Sequence, residues 1–174
     1  VAVFFPSYNL LNRIADRLNR VYVEKEMLIE DKKYAKWEKE ELVDTLKTSN
    51  DNILLAVQGG SLSEGVDYRN NILSAVLIAG IPFPPPSLEL DALEEYYTKK
   101  FDDKKGYEYA RIYPALNRVL QAAGRCIRSK RDRGLILLMD NRFNYPRYKN
   151  MMPDEFEYYV STDVVKECKE FFGG

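Results

Sequence analysis

The chain has 174 residues, 45% of them hydrophobic, which suits a single domain with a substantial core. Lys and Arg number 26 and Asp and Glu 27, so the net charge is −1 and any nucleic-acid surface must be local. The absence of His excludes Ser-His-Asp triads, Cys-His dyads and imidazole metal sites. The two cysteines, Cys126 and Cys168, cannot alone form a CxxC site or a four-cysteine cluster, so no metal site is expected.

Residues 1–5 read as a buried strand, apolar throughout and partly β-branched. Pro6 ends it, and Ser7 can cap a helix whose apolar positions are Leu10, Leu11, Ile14, Leu18 and Val21. A short strand is predicted at 27–29. A charged surface helix is predicted over 31–48, with Tyr34, Leu42, Val43 and Leu46 as its thin apolar stripe. Residues 53–57 form a third strand, followed by a loop of small residues, QGGSLSEGVDY, and by another buried strand at 72–79. The segment GIPFPPPS cannot be regular, because consecutive prolines remove backbone donors and disfavour helix. Helices are predicted at 88–101 and 107–129, a last apolar strand at 134–139 and a terminal helix at 163–172.

Short apolar strands alternating with amphipathic helices imply an α/β fold, with a mainly parallel sheet covered on both faces. In such folds ligands gather at the carboxyl ends of the strands. Ser7, the 58–67 loop and the proline-rich loop all follow strands and are expected on that edge. No internal repeat is present, and no apolar run is long enough to span a bilayer. The first residues lack the basic flank and cleavage site of a signal peptide, and nothing indicates secretion, so no disulfide is expected. The chain opens directly in a strand pattern. It reads as one domain of a longer intracellular protein, cytoplasmic or nuclear according to source.

Gln121, Gly124, Arg125 and Arg128 stand at i, i+3, i+4 and i+7 of the predicted 107–129 helix. At ~100° per residue they fall in one stripe. Two guanidiniums, a carboxamide and a gap at the glycine suit the close approach of a phosphate. A solvated basic face is the plain alternative, but it does not require Gly124, which costs ~1 kcal/mol in a helix interior.

Three segments in order resemble the second motor domain of superfamily 2 helicases, most closely the XPD-like DNA helicases. VAVFFPSY is similar to motif IV, ILLAVQGGSLSEGVDY to motif V and QAAGRCIRSKRDRG to motif VI, Q-x-x-G-R-x-x-R. GLILLMDNRF fits an apolar strand ending in D-x-R-F, so the resemblance runs to about Tyr148.

The resemblance implies a RecA-like three-layer sandwich and 5′→3′ DNA unwinding in repair. By it, Arg125 and Arg128 match arginine fingers, which stabilise charge on a transferring phosphoryl group. Gln121 matches the residue that places the γ-phosphate or the attacking water, with Gly124 beside it. Asp67 is implied near the nucleotide sugar and Glu64 at the interdomain face, while Gly65 permits a tight backbone path. Gly60, Ser61 and Ser63 are candidates for nucleic-acid phosphates through backbone and hydroxyl donors; a connecting polar turn is the alternative. Ser7 and Tyr8 match the DNA-track end of motif IV. A helix cap for Ser7 and packing for Tyr8 remain open beside base stacking. Arg142, with Arg147, reads either as a DNA-facing surface or as half of an ion pair. Tyr96, Tyr97, Phe101, Tyr107, Tyr109 and Tyr113 read as packing between two inserted helices, and Cys126 as a buried small hydrophobe.

The sequence has no GxxxxGK[ST] loop and no D-E-x-[HD] box. The family keeps these, and the cysteines of its iron–sulfur cluster, in the first motor domain. The chain is therefore expected to lack its own Walker A loop, to be inactive alone and to complete a Mg·ATP site held mainly by its companion domain. Its expected partners are single-stranded DNA, the first motor domain of the same polypeptide and repair proteins, in a monomer without a membrane. A non-catalytic docking module, with the acidic stretch LELDALEEY as its patch, and an RNA-directed helicase domain are the alternatives.

Overall fold

The computed structural model describes residues 1–21, 24–49, 51–64, 68, 72–127 and 131–173. Five strands lie in one sheet: β1 (Ala2–Phe5), β2 (Glu26–Ile29), β3 (Asn52–Val57), β4 (Ala75–Ile78) and β5 (Leu135–Leu138). Their order is β2-β3-β1-β4-β5 and every neighbouring pair is parallel, with Ala2 opposite Leu54 and Val76. The expected strands all form, each within about three residues of its predicted bounds.

Alternation along the strands sorts the core into two faces. Ala2, Phe4, Leu54, Ala56, Val76 and Ile78 pack with Val43 and Leu46 of α2 (Lys36–Thr48) and with Leu116 and Val119 of α6 (Tyr113–Ala123). Phe5, Leu55 and Val57 pack with Leu11 and Ala15 of α1 (Tyr8–Leu18) on the other face. Ser7 caps α1 as expected, its Oγ accepting from the Leu10 N–H at 3.3 Å.

The helices depart from the sequence reading at several points; α1 ends at Leu18, short of the predicted apolar position Val21, which is exposed. The 31–48 helix begins only at Lys36, because Asp31 takes the Lys33 N–H into a local turn at 2.8 Å, while Glu38 accepts from the Ala35 N–H at 2.7 Å. A four-residue helix, α3 (Ser61–Glu64), sits inside the small-residue loop. The predicted 107–129 helix is broken at both ends. After α4 (Leu88–Lys100) come α5 (Asp103–Tyr107) and a π-helical turn (Glu108–Ile112), and only then α6. Pro114 cannot donate a backbone hydrogen bond, and the Tyr113 N–H reaches back five residues to the Glu108 carbonyl.

The carboxyl end of α6 is the larger correction. The helix stops at Ala123, and Gly124 caps it with ordinary right-handed dihedrals. Arg125 and Cys126 bond three residues back, to the Ala122 and Ala123 carbonyls, as a tightening turn. Cys126 drives this turn: buried, its thiol donates to the Leu73 carbonyl at 3.3 Å, just before β4. A Cβ at Gly134 would collide with its sulfur. Gly124 is therefore a terminator, not an interior glycine, and Gln121 and Arg125 are not on one continuous helical stripe.

The aromatics of the inserted hairpin meet as expected, although Tyr96, Phe101 and Tyr109 stay exposed. Tyr97 meets Phe101 and Tyr109 at 6.3 and 5.4 Å between ring centroids, and Tyr109 stacks on Tyr113 at 5.3 Å. Arg111 pairs with Asp91 and Glu94 of α4, and Gly106 brings α5 against Thr98 so closely that a Cβ there would overlap it. After β5 come a 3-10 turn (Asn141–Asn144), α7 (Pro146–Lys149) and α8 (Val164–Phe172).

Candidate functional site

The three post-strand loops do meet on the carboxyl edge. Gln58, directly after β3, donates from Nε2 to the Phe4 carbonyl of β1 (3.3 Å) and to the Gly80 carbonyl beyond β4 (2.8 Å). Gly80 takes φ +111°, and a Cβ there would sit 3.5 Å from Pro6 and 3.6 Å from Asp140. The loops after β1, β3, β4 and β5 therefore converge on one patch.

Beside that patch lies a residue that the sequence reading missed. Glu30, the residue after β2, is 0% exposed. Its Oε2 accepts from the Val57 N–H at 2.9 Å and its Oε1 from the Tyr8 hydroxyl at 3.2 Å, with Lys39 Nζ at 4.0 Å. A Cβ on Gly60 would lie 3.1 Å from Glu30 Oε1, so the glycine admits the motif V loop over the carboxylate. Burial pushes the Glu30 pKa up, against the opposing pull of the Val57 N–H, Lys39 and Tyr8. Burial and then Glu30 push the Tyr8 phenol up to about 12. The one signal in the sequence was a carboxylate closing an apolar strand and followed by Asp31, which ordinarily marks a surface turn.

The track candidates divide in this setting. Ser7 caps α1 and remains exposed. Tyr8 is half-buried, packed with the α1 face and anchored by its hydroxyl, so the packing reading describes its position. Gly60 is half-buried and Ser61 exposed. Ser63 is a correction: it is buried and its hydroxyl donates to the Gly60 carbonyl at 2.9 Å, which turns it into its own loop and away from a ligand. Arg142 takes the ion-pair alternative. It grips Asp140 at 2.5 and 2.9 Å and lies over the Phe83 ring at 5.3 Å. Burial opposes ionisation of Asp140, yet the hydrogen bonds and charge of Arg142 hold its pKa below the usual carboxylate value. Arg147 approaches Glu108 at 3.6 Å and covers the Tyr107 ring at 5.0 Å.

The nucleotide candidates lie at the other end of α6. Gln121 and Gly124 are exposed on its last turn, and Arg125 is half-buried. Arg125 Nη2 donates to the Glu64 carbonyl at 2.9 Å, which fastens the turn after α6 to the end of α3 and joins the motif VI and motif V segments. Gly65, Asp67 and Arg128 lie outside the described residues. Among the described residues no cluster of three or more His, Cys, Asp or Glu side chains can hold a metal ion. Cys126 is committed to the core, and burial lifts its thiol to about 11.

Residues 1–159 match the helicase C-terminal domain family. The ATP-dependent DNA helicase XPD of Sulfolobus acidocaldarius is 34% identical over 146 residues, 82% of this chain and 25% of that protein. The regulator of telomere elongation helicase 1 homolog of Culex quinquefasciatus is 30% identical, over 98% of this chain and 20% of that protein. A solved XPD helicase structure superimposes with a TM-score of 0.65 at 29% identity, covering 87% of this chain and 27% of its own. An apo XPD structure does so with a TM-score of 0.65 at 30% identity, covering 86% and 30%. The chain thus spans a fifth to a quarter of the length of these curated relatives. With motifs IV, V and VI in order on a parallel five-stranded sheet, the chain belongs to the helicase C-terminal domain family.

Proposed function

We propose that the chain is the second motor domain of an XPD-like, ATP-dependent DNA helicase, working 5′→3′ in DNA repair inside the cell. The observation that carries this reading is the Arg125–Glu64 contact, which puts the finger candidate against the segment that leads into Gly65 and Asp67. An arginine delivered from a second domain to a γ-phosphate accelerates transfer by ~10³–10⁵. On this reading the first motor domain of the same polypeptide holds most of Mg·ATP, and this chain closes the site. Arg125 and Arg128 meet the γ-phosphate, Gln121 orients the attacking water, and Gly124 leaves room for the approach. The single strand crosses the carboxyl edge near Ser7, Tyr8, Gly60 and Ser61. The iron–sulfur cluster belongs to the parent protein outside this chain; two separated cysteines, one of them buried, do not fit it.

The docking-module alternative loses support because Asp91 and Glu94, half of the acidic stretch, are neutralised by Arg111 within the hairpin. The test uses an intact enzyme with both motor domains, in competition between single-stranded DNA and RNA of one sequence. Preference for DNA, with ATP turnover that rises on its addition, is expected. Preference for RNA would reassign the substrate, and binding of neither would overturn the motor reading. The isolated chain is expected to hydrolyse no ATP; steady turnover from a pure sample would contradict the shared site.

A further inference from the structure

Arg118 projects from the middle of α6, exposed, on the side that faces the motif V loop. Its side chain lies across Gly59: a Cβ on that glycine would meet Arg118 Cδ and Nε at 3.2 Å and Cζ at 3.7 Å. Gly59 holds φ +76°, a conformation that side chains rarely adopt, so the position is doubly fitted to glycine. The bare turn lets the Arg118 side chain come close to backbone. Among the described residues Arg118 makes no ion pair and no side-chain hydrogen bond, whereas Arg111, Arg142 and Arg147 each have a carboxylate. The Gly59 amide and, two residues on, the Ser61 hydroxyl also have no protein partner there. The Glu30 carboxylate lies buried beneath Gly60 and is already bonded to Val57 and Tyr8.

An unpaired guanidinium over a glycine turn that keeps unused amide and hydroxyl donors suits an anion that approaches closely. Such contacts to phosphate fix the register of a strand without reading its bases. We propose that Arg118 is a phosphate-binding residue of this domain, clamping a backbone phosphate of single-stranded DNA onto the Gly59–Ser61 turn. The proposal deepens the DNA-track reading above and rests on it.

The experiment measures the affinity of the intact enzyme for single-stranded oligonucleotides of several sequences across a salt series, for the wild type, Arg118→Ala and Arg118→Lys. Arg118→Ala should bind every sequence severalfold more weakly. The slope of log affinity against log salt should fall in magnitude by about 0.7, the share of one phosphate contact on a single strand. Arg118→Lys should restore most of the slope, since the contact is largely charge. Thermal unfolding of all three proteins should agree, because the side chain is exposed. A wild-type enzyme that binds with a steep salt dependence, with Arg118→Ala unchanged in slope, would overturn the Arg118 assignment and leave the track standing. A wild-type enzyme that binds no single strand would overturn both.

Discussion

At the carboxyl edge of the sheet a buried carboxylate, Glu30, is bonded at once to β3, to α1 and to the side of α2, and Gln58 ties three strand ends together. At the far end of α6, Gln121 and Gly124 are exposed and Arg125 is half-buried, reaching the end of a four-residue helix. One end is set in place by internal bonds before any ligand arrives. The other presents polar groups to the surface and, on the proposed reading, relies on an opposing surface to use them. A strand sliding over a domain needs the first kind of construction, and a site completed by domain closure needs the second. The helix joins the two: between Gly59 and Glu64 the motif V segment keeps pace with α6 from Arg118 to Arg125.

The contrast breaks most visibly at Glu30. Glu30→Ala should destabilise the chain by about 1–3 kcal/mol through the stranded Val57 N–H alone, with a further loss from the cavity. Denaturant unfolding checks this, and a change below about 0.5 kcal/mol would mean that the carboxylate does not hold the edge. Arg125→Ala should cost less, about 0.5–1.5 kcal/mol for the lost bond to the Glu64 carbonyl.

A subtler test sharpens the same comparison through pH. Because the folded-state pKa of Glu30 is raised, the folded chain binds its proton more tightly than the unfolded chain does. Its contribution is then fully present below the ordinary value of 4.5 and is lost as pH rises from there through the folded pKa. Glu30→Gln keeps an acceptor for Val57 and removes the titration. Stability measured from pH 4 to 8 should fall less in this variant than in the wild type; parallel profiles would show that Glu30 does not titrate in that window. The smallest effect concerns the thiols. Cys126, lifted to about 11 by burial, should resist alkylation at pH 8 until the chain unfolds, while the half-buried Cys168 reacts in the native state. Mass spectrometry of native and denatured samples counts the adducts. Two adducts on the native chain would show that the turn after α6 opens.

The sheet was legible because β1, β3 and β4 are apolar runs bounded by Pro6, the Gly59–Gly60 pair and Gly80, signals that lie within a few residues of each strand. The end of α6 was not. Its cause is a sulfur hydrogen bond to Leu73 and the space left by Gly134, neither of them near Gly124 in a way that periodicity registers. The π-helical turn was hidden for a related reason, since Pro114 is compatible with the first turn of a helix. At the site, motif order picks out segments but not which of their atoms are already bonded within the chain. Ser63 reads as an available hydroxyl until its bond to Gly60 is seen, and Arg142 reads as an available cation until Asp140, two residues earlier, is seen to hold it. Glu30 and Arg118 belong to no motif quoted from the sequence, and only tertiary contact with the glycines of the motif V loop distinguishes them from surface charges.

The central claim is that the α6 end acts on a nucleotide held elsewhere, while the carboxyl edge acts on the strand. ATP turnover by the intact enzyme carrying Arg125→Ala, at saturating single-stranded DNA, tests it most directly. A fall of about 10³-fold or more is expected, with strand binding retained; turnover within a few fold of the wild type would contradict this role.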